Sequence, residues 1–285
     1  MDTRTAIKKF NIRPTKSLGQ NFLNDESIIK RIVDSAGIGS RDLVIEIGPG
    51  LGSMTTELAA RAGKVVAVEI DRHLLPVLRE NLKEFPNVII INRDIMQVDV
   101  KKEILEMEEF KANGFQPESI KIVANLPYYI TTPVIMKLLE QELQAACMVF
   151  MVQMEVADRM AASPGGKDYG ALSVAVQFYS RPEKLFKVFP GSFIPQPGVD
   201  SMVIKLDIYD APPVSVISRE LYFKTVKAAF GQRRKTLVNA LCNAGYFSKS
   251  KDEIKEILKT IGVDENQRGE TLSLQQFAQL SNLLK

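Results

Sequence analysis

The chain of 285 residues has room for two domains, and its 45% hydrophobic and 25% charged content is that of an ordinary globular protein. A net charge of +3 excludes a polycation that would bind nucleic acid along its whole length. The single histidine, His73, and two distant cysteines, Cys147 and Cys242, lacking CxxC spacing, leave no basis for a disulfide framework, a zinc site or Ser-His-Asp chemistry, and no metal is expected.

At the start, Arg4, Lys8, Lys9, Arg13 and Lys16 stand against Asp2. They read either as a basic arm or as a solvated terminus. The segment lacks the apolar core of a signal peptide, and no run approaches the length of a membrane span, so a cytoplasmic protein is expected. Asp25 is placed as the N-cap of a helix over 26–36, closed by Gly37 and Gly39. Leu43–Ile47 is a short apolar run between turn residues, hence a buried strand. The turn Glu46-Ile47-Gly48-Pro49-Gly50-Leu51-Gly52 leads into a helix over 54–61. Lys64–Glu69 is the next strand, 71–85 the next helix, and Val88–Asn92 a third strand, followed by Asp94. Further strands are expected over 120–124 and 146–152. This alternation predicts an α/β architecture with a doubly wound parallel sheet.

After 155–162 the pattern changes. Ser163-Pro164-Gly165-Gly166 is a loop, 170–179 a helix, and 184–189 and 201–207 two late strands around a Pro-rich turn. Ala211-Pro212-Pro213 is the candidate linker. Beyond it only helices are expected, over 219–230, 235–244, 252–261 and 274–284, the last with a capping box at Ser273 and Gln276. The predicted domains are therefore 1–210 and 211–285. Residues 208–285 hold 12 Lys and Arg against 8 Asp and Glu, whereas the first 207 hold 25 against 26. That asymmetry favours a nucleic-acid contact in the C-terminal part.

Glycine between strand and helix lets a ligand approach the backbone closely. Dinucleotide sites use G-x-G-x-x-G, but here Ser53 stands where the third glycine belongs, and Pro49 removes an N–H. The departure argues for a ligand without a pyrophosphate. Glu69 ends the second strand, where a carboxylate accepts from ribose hydroxyls, and Asp94 follows the third, placed to accept from an adenine amino group. Asn125-Leu126-Pro127-Tyr128 leaves the fourth strand. An exocyclic adenine nitrogen is a poor nucleophile because its lone pair is delocalised into the ring. Acceptors on its two N–H groups, the Asn125 side chain and the Leu126 carbonyl, free that pair, while Pro127 stiffens the turn and Tyr128 stacks on the base. Phe193 either closes the pocket with a second ring or anchors the Pro-rich turn. Gln232-Arg233-Arg234-Lys235 is read as the start of a helix, either a solvated charge run or, because cations are disfavoured there by the dipole, a phosphate contact to which Lys8, Lys9 and Arg13 add.

At these residues the chain resembles the small-subunit (16S) rRNA adenine N6,N6-dimethyltransferases, the kasugamycin-resistance family. The resemblance spans nearly the whole chain: Lys16-Ser17-Leu18-Gly19-Gln20-Asn21-Phe22-Leu23, Glu46–Gly52, Val68-Glu69-Ile70-Asp71, Asp94-Ile95, Asn125–Tyr128, Glu155-Val156-Ala157-Asp158-Arg159, Asp168-Tyr169-Gly170-Ala171-Leu172-Ser173, and 193–201 with Val199-Asp200-Ser201. It implies a Rossmann-like class I S-adenosylmethionine-dependent methyltransferase sheet of seven strands with a small all-helical C-terminal domain that binds rRNA. It implies S-adenosyl-L-methionine held at Asn21, Leu23, Gly48, Gly50, Glu69, Ile70, Asp94, Ile95 and Asn125. The implied substrate is a pair of adjacent adenines in the loop of the 3′-terminal hairpin of 16S rRNA, each dimethylated during assembly of the 30S subunit, by a monomer that acts on neither DNA nor membrane. DNA adenine methyltransferases usually carry Asp or Asn before Pro-Pro-Tyr, and Leu126 departs from them. The rival expectations are a large-subunit (23S) rRNA dimethyltransferase of the macrolide-resistance type, and a ribosome-assembly factor that binds without catalysis.

Overall fold

The computed structural model describes residues 3–15, 18–108, 110, 114–232 and 234–285. The chain forms two compact units: Met1–Ala157 with Glu183–Ile208, and Asp158–Pro182 with Tyr209–Lys285. The strands in chain order are β1 (Phe22–Leu23), β2 (Leu43–Ile47), β3 (Lys64–Glu69), β4 (Val88–Asn92), β5 (Ile120–Asn125), β6 (Cys147–Gln153), β7 (Ser180–Val188), β8 (Phe193–Ile194) and β9 (Ser201–Ile208).

Seven strands form one sheet in the order β4-β3-β2-β5-β6-β9-β7. Pairing from β4 to β6 is parallel, and β9 runs antiparallel to β6. The late strands thus extend the same sheet rather than founding another, which corrects the expectation of a purely parallel array. Every residue of β2 is buried, which is why its sequence is apolar at every position but Glu46 instead of alternating. Strand order reverses between β2 and β5, the switch point at which open α/β sheets bind ligands. The register sets what meets there: Ile47 pairs with Val68 on one side and Ala124 on the other, and Glu69 pairs with Asn92. Gly48, Glu69 and Asn125 therefore leave the sheet side by side.

Helix Glu26–Ser35 begins at Asp25, whose carboxylate accepts from the Ser27 and Ile28 N–H groups. It buries Ile28, Ile29, Ile32 and Val33 in a core shared with Leu23, Val44, Leu58 and Phe193. The start of the chain is not a free arm. Thr3–Lys9 is a helix, Thr3 Oγ1 donates to the Leu23 carbonyl at 3.2 Å, and Ala6 packs with Phe22, Leu51, Leu74 and Val77. Sequence periodicity misses this helix because it spans only seven residues.

The second unit has its own core, built from Tyr169, Phe178, Tyr222, Leu237, Leu241, Ile254, Leu258 and Phe277. Its helices are Ala171–Tyr179, Arg219–Gly231, Leu237–Ala244, Lys251–Thr260 and Leu274–Leu283. Capping boxes at Ser250 with Glu253 and at Ser273 with Gln276 start the last two. A single boundary at 210/211 is corrected here, since 158–182 belong with the helices. Val174 and Phe178 need an apolar partner that the C-terminal helices supply, and the Tyr169 hydroxyl donates to the Leu272 carbonyl at 2.9 Å.

Candidate cofactor and nucleobase site

One cavity in the first unit is walled by the exits of β2 to β5, with Leu18–Leu23 across from them. It brings together every residue expected to hold a cofactor: Asn21, Leu23, Gly48, Gly50, Glu69, Ile70, Asp94, Ile95 and Asn125.

The glycine turn works by shape. Gly48 and Gly50 have φ of 69° and 58°, and a side chain at Gly50 would stand 3.2 Å from the Phe22 ring. Gly48 N–H donates to the Val68 carbonyl, Gly50 N–H to Glu69 Oε2, and Gly52 N–H to the Pro49 carbonyl. All three glycine N–H groups are committed within the protein, so none of these three is free for a pyrophosphate. Glu69 is buried and oriented by two backbone donors, Gly50 at 3.1 Å and Asp71 at 2.8 Å. Each carboxylate oxygen keeps a further lone pair for a ligand hydroxyl. Burial pushes its pKa up, against the pull of the Asp71 and Gly50 N–H donors. Asp94 Oδ1 accepts from Met96 N–H at 2.8 Å, which turns the carboxylate at the end of β4 and holds it on the cavity wall.

Sequence reasoning did not single out Glu46, which is fully buried within β2 and also lines the cavity. Neither of its oxygens has a hydrogen-bond partner, nor does the nearby Thr55 hydroxyl. Burial pushes its pKa up to about 8, opposed by Thr55 and reinforced by the Glu69 charge. A buried carboxyl without a partner on a cavity wall fits a ligand that brings positive charge and N–H donors and so favours its ionised form, as S-adenosylmethionine does.

The turn after β5 forms the other wall. Asn125 Nδ2 donates to the Asn21 carbonyl at 3.3 Å, which directs Oδ1 away from it. The Leu126 side chain is buried, its N–H donates to the Met151 carbonyl, and nothing described donates to its own carbonyl. Ile130 N–H and Thr131 Oγ1 both donate to the Pro127 carbonyl, locking the turn to helix Thr131–Glu140. Tyr128 is half-buried, with its hydroxyl 2.6 Å from Ser201 Oγ, so Ser201 fixes the position of the far end of its ring. Burial, opposed by Ser201, raises its pKa.

Phe193 is not at the site. Its side chain is only 2% exposed, its backbone pairs with Leu23, and its ring lies in the core under helix Glu26–Ser35. It anchors the Pro-rich turn instead of stacking on a base. Arg234 and Lys235 do not begin a helix either: they are exposed in the turn between Arg219–Gly231 and Leu237–Ala244. Neither has an ion-pair partner among the described residues. Arg233, like Lys16 and Ser17, lies outside the described residues. Lys8 and Arg13 are exposed, and Lys9 reaches Glu80 at 3.6 Å. No helix among the described residues is long and apolar enough to cross a membrane.

A seven-stranded sheet with one antiparallel late strand, a ligand cavity at its switch point, and a carboxylate at the end of β3 define a class I S-adenosylmethionine-dependent methyltransferase. The ribosomal RNA adenine dimethylase family matches residues 11–285, and the chain belongs to it. The chain is 50% identical to the ribosomal RNA small subunit methyltransferase A of Alkaliphilus oremlandii over 99% of this chain and 96% of that one. Among solved structures it resembles a dimethyladenosine transferase from Plasmodium falciparum, with a TM-score of 0.75 and 25% identity over 91% of this chain and 95% of that one. It also resembles the 23S rRNA methyltransferase ErmE, with a TM-score of 0.68 and 26% identity over 93% and 99% of the two chains.

Proposed function

We propose that this protein transfers methyl groups to N6 of two adjacent adenines in the loop of the 3′-terminal hairpin of 16S rRNA, giving N6,N6-dimethyladenosine in the small ribosomal subunit. The observation that carries the reading is that the Asn125–Tyr128 turn and the Glu69 and Asp94 carboxylates wall one cavity. When bound, S-adenosylmethionine supplies an electrophilic methyl on a sulfonium centre. Glu69 would hold the ribose end, and Asp94 the adenine amino group, of that ligand. Asn125 Oδ1 and the Leu126 carbonyl accept the two N–H groups of the target adenine and draw its nitrogen toward tetrahedral geometry. Tyr128, its hydroxyl held by Ser201, stacks on the base. The leaving thioether is neutral and the extra proton of the product passes to water, so the chain needs in-line positioning more than an acid–base pair. A paired adenine has to come out of its helix, and a loop adenine is already free.

The small subunit is favoured over the large one because 50% identity over nearly the full length links the chain to a small-subunit enzyme, against 26% to a 23S enzyme. Arg234 and Lys235, exposed and without ion-pair partners among the described residues, support a phosphate contact in the helical unit and binding that weakens with salt. The test is to incubate the protein with labelled S-adenosylmethionine and separated small and large subunits from cells lacking the activity, then identify the labelled nucleosides. Dimethyladenosine confined to the small subunit is expected. Label in the large subunit would overturn the substrate assignment, and cofactor binding without label would favour the assembly-factor reading.

A further inference from the structure

Tyr129 is the large side chain at this site to which the reaction above gives no task. It is 59% exposed and lines the cavity, so it sits at the rim. Its neighbour Tyr128 differs in each respect, being half-buried with its hydroxyl tied to Ser201. One turn therefore presents two phenol rings, one anchored and one open. The open ring is supported from behind. Gly19 comes up against it with φ at 58°, and a Cβ there would stand 3.2 Å from Tyr129 Cδ1 and 3.6 Å from Pro127 Cβ. The backbone carrying it is held by the two bonds to the Pro127 carbonyl. A ring packed against Gly19 yet 59% exposed is suited to be a stacking platform for single-stranded RNA, because every base offers a π face. The geometry along the strand decides which base it takes. With one base drawn in beside Tyr128, its neighbour in the chain is the one left at the rim, unstacked on the side its partner has vacated.

We propose that Tyr129 stacks on the nucleobase next to the adenine held at Asn125–Tyr128, making it a second RNA-positioning residue. The proposal rests on the reading of this site as one that takes an unpaired adenine of rRNA. Where two adenines stand side by side, the second would wait on Tyr129 while the first is modified, which gives the site a reason to act on adjacent residues.

The test is a double-mutant cycle on binding. The full-length protein and its Tyr129→Ala and Tyr129→Phe variants are titrated with a fluorescent RNA hairpin carrying two adjacent loop adenines, and with hairpins made abasic on either side of the target. Removing the stacked base is expected to weaken wild-type binding about tenfold. Tyr129→Ala is expected to lose a similar factor on the intact hairpin and nothing further on the abasic one, and Tyr129→Phe to bind as wild type does. In steady state on small subunits, Tyr129→Ala should raise KM by more than it lowers kcat. Independent, additive losses would overturn the proposal, as would a Tyr129→Ala effect confined to cofactor affinity or to kcat. The binding arm involves no methyl transfer. Coupling seen in an enzyme that leaves small subunits unlabelled would overturn the substrate assignment and retain the platform.

Discussion

The two ends of the central strands bury charge in opposite ways. Where β2 and β5 begin, Asp42 and Lys121 form a nearly buried pair at 2.7 Å. Ser119 Oγ and Gly39 N–H also donate to Asp42, and Lys121 reaches the Gly37 carbonyl. Every charge there has its partners. Where the same strands end, Glu46 is buried with no partner, and Asn125 presents an oxygen to an open cavity. A buried polar group normally finds a hydrogen bond, so a local failure to satisfy one marks where a ligand completes the structure. The beginning of the sheet is arranged for stability and the end for binding.

The sharpest way to break this comparison is Asn125→Ala. The variant removes an acceptor and the 3.3 Å bond to the Asn21 carbonyl but exposes no core, so methyl transfer to small subunits should fall about a hundredfold to a thousandfold while thermal stability stays near wild type. A variant that melts early and still forms dimethyladenosine would reverse the roles assigned to the two ends. Asp42→Ala is the mirror experiment. It strands Lys121, whose side chain is only 12% exposed, and should cost about 3 kcal/mol in urea unfolding with cofactor affinity unchanged.

Much of this division was legible in the sequence. Leu43–Ile47 and Lys64–Glu69 were readable to the residue because buried parallel strands are largely apolar runs cut off sharply by turn residues, and the half-buried edge strand Val88–Asn92 because its four β-branched residues end at Asn92. Their ends bring Gly48, Glu69, Asp94 and Asn125 to one cavity because the parallel register aligns the exits. What failed depended on tertiary contacts. β1 and β8 are two residues each, too short for any periodicity. Phe193 lies in that pairing, and an aromatic in a Pro-rich turn has the same sequence whether it faces a base or the core. Residues 158–182 carry no mark of the unit they join. Glu46 stood in plain view at the head of the glycine turn, but its lack of a partner is a fact of three dimensions. Exposure is equally unreadable, which hid Tyr129 beside Tyr128.

A smaller effect sharpens the picture of the binding end. Glu69→Ala should weaken S-adenosylmethionine binding roughly tenfold to a hundredfold by calorimetry, since hydrogen bonds to a charged acceptor are lost. An unchanged dissociation constant would remove its role in holding the ribose. Because Glu69 also accepts from Gly50 and Asp71, the unfolding temperature has to be recorded alongside.

The two ends should also differ in the sign of their pH dependence. Lys121, Gly39 and Ser119 outweigh burial and hold the Asp42 carboxyl below its usual value, so its contribution is present above about pH 4 and is lost on acidification through the folded pKa. Glu46 runs the other way. Its pKa rises from 4.5 unfolded to about 8 folded, so between these values the folded state holds a proton that the unfolded state has released. Stability of the ligand-free protein should therefore fall as pH rises through that window, by roughly 1 kcal/mol per pH unit from this group. Glu46→Gln removes the titration and keeps the shape. Its stability should match wild type near pH 5 and exceed it increasingly toward pH 8, read as a widening gap between the two urea midpoints. The groups facing Glu46 are Glu69 and the Thr55 hydroxyl, and Glu69 adds to the slope in the same direction because its pKa is also raised. Parallel curves for Glu46→Gln and wild type would mean that Glu46 is already charged in the folded protein and that the binding end is as well satisfied as the other.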